Sequence, residues 1–99
     1  MIFYDFEVFK EDWLAVFIDV TKKKEYVIIN NPDELKALYE ANSKDIWVGY
    51  NNRHYDQYIM KGILLGMNPK RINDWIIVEK KEGWQFSSAF NKVPMINYD

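Results

Sequence analysis

A carboxylate pair sits inside an apolar run near the start of the chain, Tyr4-Asp5-Phe6-Glu7-Val8. Side chains along a strand alternate between faces, so Asp5 and Glu7 point the same way. Ile2, Phe3, Phe6, Val8 and Phe9 make the run apolar on both faces, as in a strand buried inside a sheet. Two like charges on such a strand are costly unless a cation neutralises them. A third acid, Asp56, follows half the chain later in Asn51-Asn52-Arg53-His54-Tyr55-Asp56. On a helix its partners at +3, +4 and +7 are Ile59, Met60 and Ile63, so this acid heads an apolar stripe. Three acids carried to one spot by separate elements form an oxygen ligand set of the kind that holds Mg²⁺.

The elements that must position these groups are legible in the pattern. Residues 2–9, 13–20 and 25–29 read as strands, joined by connections too short for crossovers, which predicts an antiparallel meander. Asn31-Pro32-Asp33-Glu34 reads as a helix start: Asn caps, Pro suits the first helical position, and acids favour the positive end of the dipole. Leu35, Leu38, Tyr39 and Asn42 continue that stripe. Asp45 to Tyr50 reads as a fourth strand, which the preceding helix allows to run parallel to the meander. A second helix spans about 55–65 and stops at Gly66. A third starts at Asn68-Pro69 and carries Ile72, Trp75 and Ile76 inward. Trp84-Gln85-Phe86 reads as a short strand or a loop, and Val93 to Asp99 as the start of a fifth strand. This order fits an α/β fold of the ribonuclease-H-like kind, with a mixed sheet, helices on its faces and the first strand at its centre.

Ninety-nine residues suit one small domain, and 48% hydrophobic content with few Gly and Pro is globular composition. Charges interrupt every apolar run, so no membrane span is expected, and acids at positions 5 and 7 argue against a signal peptide. The absence of Cys excludes a disulfide framework and a thiolate metal site, and makes the cytoplasm the simplest compartment. A net charge of −2 predicts no general attraction to a polyanion, so contact with nucleic acid would need bound cations and local basic groups. Lys22-Lys23-Lys24 and the single histidine, His54, read as solvated turn and loop residues.

Tyr4-Asp5-Phe6-Glu7-Val8 resembles the first motif, Asp-x-Glu, of the 3′–5′ proofreading exonuclease domains of family B and phage-type DNA polymerases. Gly49-Tyr50-Asn51-Asn52-Arg53-His54-Tyr55-Asp56 resembles their second motif, an Asn followed a few residues later by Phe or Tyr and then Asp. The resemblance spans nearly the whole chain with its elements in the same order. It implies that Asp5, Glu7 and Asp56 are catalytic ligands of two Mg²⁺ or Mn²⁺ ions. It implies that Asn51 and Tyr55, with Phe6 and Arg53, lie against a single-stranded DNA 3′ end. Phe9 and Tyr50 are further stacking candidates. The family has a third motif, Tyr or His with Asp four residues later. No Tyr or His here is followed by Asp at that spacing. Residues 1–99 are therefore expected to be a partial exonuclease domain, truncated at the C-terminus, normally joined to the rest of a polymerase chain and weak or inactive alone. The unfinished sheet edge invites pairing with another copy. Two rival readings are a non-catalytic module of the same fold that binds nucleic acid or a protein, and a ribonuclease H or integrase type enzyme. The latter explains Asp5 but not Asn51 and Tyr55-Asp56.

Overall fold

In a computed structural model of the chain, residues 1–50 and 54–98 are described. Three strands come first: β1 (Ile2–Val8), β2 (Trp13–Asp19) and β3 (Lys24–Ile29). Helix α1 (Pro32–Ala41), strand β4 (Ile46–Gly49) and helices α2 (Asp56–Leu64) and α3 (Pro69–Asn73) follow, and β5 (Ile96–Tyr98) closes the described chain. The five strands form one mixed sheet in the order β3-β2-β1-β4-β5. The meander pairs antiparallel, with Tyr4 opposite Phe17 and Val16 opposite Val27. β4 runs parallel to β1, and β5 parallel to β4. The acid-bearing strand is thus central, and the chain is α/β as expected.

Local chemistry explains the helix boundaries. The Asn31 side chain accepts the Glu34 N–H at 3.1 Å and donates to the Glu34 carboxylate, a cap with Pro32 at the first turn. Helix α2 ends where Gly66 takes a φ of +79°. Met67 N–H then reaches Gly62 C=O and Gly66 N–H reaches Ile63 C=O, the paired bonds of a Schellman turn. In α3 the Asn68 side chain caps Lys70 N–H at 2.9 Å. Ile72 and Ile76 are buried as their spacing predicts, but Trp75 is only half-buried. The chain widens there into a π turn over Asp74–Val78, with Glu79 N–H bonded to Asp74 C=O.

The core lies on one face of the sheet. Tyr4, Phe6, Phe17 and Trp47 form a ring cluster, with Tyr4 edge-on to Trp47 at 5.6 Å. Leu35, Ile59, Met60, Ile63, Ile72 and Phe90 close over it. The expectation that β1 is buried on both faces is corrected: Ile2, Tyr4 and Phe6 are buried, while Phe3 and Asp5 are half-exposed and Glu7 is exposed. The residues sharing the second face, Ile18, Val27, Ile29, Ile46, Ile96 and Tyr98, are also exposed. The described helices all pack on the first face, so apolar patterning on the second does not become burial. The segment read as a strand or loop at Trp84-Gln85-Phe86 is a tight 3₁₀ turn over Gly83–Gln85. A Cβ at Gly83 would collide with the Tyr58 ring, so the segment is held by close packing on α2 rather than by strand pairing. Among the described residues no helix is long and apolar enough to cross a membrane.

Candidate metal centre

β1 delivers Asp5 and Glu7 to the open face, opposite Val16 and Leu14 of β2. Asp5 is half-buried between these apolar neighbours. Burial first, and the negative charge of Glu7 second, raise its carboxyl above the ordinary value of 3.8. Both causes act against the charged form. A bound cation would relieve both.

Asp56 arrives from the other direction. β4 pairs with β1 as far as Tyr4 opposite Gly49, so among the described residues the edge of β1 beyond Tyr4 has no strand partner on that side. The Phe6 N–H donates instead to Asp56 Oδ1 at 2.9 Å. A buried amide left without an acceptor would lose about 1–3 kcal/mol, so the carboxylate completes the edge that β4 leaves open. Asp56 is fully buried, and its helix is anchored by Ile59, Met60 and Ile63 on the core side. His54, at a φ of +53°, turns the chain two residues before Asp56. The acid thus lies against the β1 backbone between Asp5 and Glu7.

Tyr55 feels the charge of both aspartates. Its ring is buried, and its hydroxyl donates to Asn73 Oδ1 at 2.5 Å. Burial, then the charges of Asp56, Asp5 and Asp74, drive its pKa far above the usual phenol range, so the hydroxyl stays protonated. Asp74 is held below the usual carboxylate range by Lys70 Nζ at 2.6 Å and by the Asn73 amide. Sequence reasoning missed Asn73, Asp74 and Lys70. The available signal was an Asn-Asp pair inside a helical stripe, where such residues earn no helix propensity and therefore invite a search for tertiary partners.

The structure brings Asp5 and Glu7 onto one face and Asp56 onto the edge of the same strand. It does not gather them into one coordination shell: among the described residues no group of three or more Asp, Glu, His or Cys side chains is arranged to hold a single ion. The donors at hand are carboxylate oxygens, the chemistry that suits Mg²⁺ or Mn²⁺ rather than a soft metal. Asn51 and Arg53, and Asn52 beside them, lie outside the described residues. Phe6 and Tyr55, expected against a nucleic-acid strand, are both buried in the core, so neither ring presents a free face. Tyr50, packed on Phe3 with ring centres 5.8 Å apart, and Phe9 are the exposed aromatics near the acids. An open cleft of about 810 Å³ along Asn68, Arg71, Asp74, Trp75 and Phe86 is not lined by any of the three acids. No family model matches the chain, and no curated protein or solved structure matches it.

Proposed function

We propose that the chain is part of a ribonuclease-H-like 3′–5′ exonuclease domain that, with two Mg²⁺ or Mn²⁺ ions, trims nucleoside monophosphates from a single-stranded DNA 3′ end. The observation that carries this reading is the Asp56 carboxylate bonded to the Phe6 amide, between the two acids of the central strand. The strand order β3-β2-β1-β4-β5, with only β2 antiparallel to the rest, supports it as well.

In this reading Asp5, Glu7 and Asp56 are the residues that would hold the two ions, with Asp5 and Glu7 contributing from the open face of β1 and Asp56 from its edge. The ions, when bound, supply Lewis-acid activation of water and charge stabilisation at the scissile phosphate. Asp5 is poised for cation binding because its charge is unfavourable in the protein alone. The Phe6 amide donates to Asp56 Oδ1 and so orients the carboxylate against β1. Tyr55, kept neutral, neither competes for the cations nor repels a phosphate. Tyr50 and Phe9 are the faces on which terminal bases can stack, with Asn51 and Arg53 as further contacts. The implied context is a polymerase in a bacterial or phage-infected cytoplasm. With no third motif among its residues, the 99-residue chain is expected to trim DNA weakly or not at all.

Calorimetric titration with Mn²⁺ tests the reading. Binding that disappears in Asp5→Ala supports it, and absence of binding in the unsubstituted protein refutes it. A second reading, a non-catalytic binding module of the same fold, is favoured by the lack of a three-acid cluster among the described residues. Such a module would bind DNA equally well in the presence of a chelator.

A further inference from the structure

We infer that Asn73 is a positioning residue for Asp56, acting through the Tyr55 hydroxyl. The inference deepens the metal-centre reading and rests on it for its functional meaning, although the mechanical claim stands on geometry alone.

The start of α2 is built differently from the other helix starts. α1 has its Asn31 cap and α3 its Asn68 cap, but Tyr55 at the head of α2 makes no side-chain capping bond. An uncapped first turn frays unless tertiary contacts hold it. Two such contacts converge on adjacent residues. The Asp56 carboxylate takes the Phe6 amide of β1, and the Tyr55 hydroxyl reaches Asn73 of α3. The first sets where the acid rests. The second sets where the helix start can move.

Asn73 is itself oriented. Its Nδ2 donates to Asp74 Oδ1 at 3.2 Å, and Lys70 Nζ donates to the same oxygen at 2.6 Å. With the amide nitrogen committed, the amide oxygen is the end presented to Tyr55. The direction of the chain is therefore fixed: Lys70 orders Asp74, Asp74 orders Asn73, and Asn73 accepts from the Tyr55 hydroxyl. Helix α3 is braced in turn against α2, where Ile72 Cδ1 fills the space above Gly62. A rigid α3 thus holds the ring that precedes the acid.

Amide hydrogen exchange followed by NMR on the metal-free protein, paired with Mn²⁺ affinity, tests this. Removing the acceptor in Asn73→Leu, or the donor in Tyr55→Phe, should speed exchange of the Phe6 amide by about tenfold, while amides of the β2–β3 ladder keep their protection. Asn73→Asp, which retains an acceptor oxygen, should restore slow Phe6 exchange. Mn²⁺ affinity should fall and recover in parallel. Unchanged Phe6 exchange in both variants overturns the inference. So does a uniform rise across all amides, which marks a structural residue rather than a positioning one. If Asn73→Leu does not fold, Tyr55→Phe decides alone. If the unsubstituted protein binds no Mn²⁺, the exonuclease reading fails, and Phe6 exchange still decides the positioning claim.

Discussion

The two faces of the central sheet have similar apolar content and opposite fates. On one, Tyr4, Phe6, Phe17 and Trp47 interlock and are almost completely removed from water. On the other, Val27 is 53% exposed and Ile29 61% exposed, and the acids Asp5 and Glu7 interrupt the apolar surface. The difference separates two tasks. The covered face supplies the burial that orders the backbone, at roughly 25 cal/mol per Å². The open face uses that ordered backbone to hold two like charges side by side. Asp56 stands at the junction, buried with the first face and adjacent to the charges of the second.

This contrast can be broken at several points. The largest effect is expected for Phe17→Ala, which opens a cavity among stacked rings and should cost about 3–5 kcal/mol in urea unfolding. Next comes Asp56. Asp56→Ala leaves the buried Phe6 amide without its acceptor, an expected loss of about 1–3 kcal/mol, whereas Asp56→Asn keeps an acceptor oxygen and most of the stability. If stability tracks the charge at this position rather than the acceptor, the edge-completing role is wrong.

Asp5→Asn should act in the opposite direction. An acid whose folded pKa is raised holds its proton more tightly when folded, so its charge destabilises the fold above that pKa. The deficit develops as pH rises from the ordinary value of 3.8 through the raised value, and is complete at neutral pH. Asp5→Asn should therefore stabilise the metal-free protein at pH 7 by no more than about 1 kcal/mol, given solvent screening. The gain should vanish below the ordinary carboxylate range. Thermal unfolding at several pH values checks both sign and window. Val27→Ala on the open face sets the floor of the comparison, with an expected change within about 0.5 kcal/mol.

What the sequence made legible was local. The meander follows from alternation and short turns, the Asn31 cap from a four-residue pattern, and the end of α2 from Gly66 alone. Asp56 at the head of the Ile59, Met60 and Ile63 stripe was readable because helix period is a property of neighbouring residues. What was not legible depended on distant partners. The apolar side chains of both β1 faces look alike in one dimension, and only the placement of α1, α2 and α3 decides which face is covered. The bond from Tyr55 to Asn73 joins residues 18 positions apart, so no local pattern reports it. The close approach of Gly83 to Tyr58 is non-local in the same way.

The most direct test of the acid constellation is paramagnetic broadening of backbone amide resonances by substoichiometric Mn²⁺. The account predicts that broadening centres on Asp5, Phe6, Glu7 and Asp56, and that Asp5→Asn and Asp56→Asn each abolish it while the remaining spectrum stays folded. Broadening centred elsewhere, or unaltered by either substitution, would contradict it.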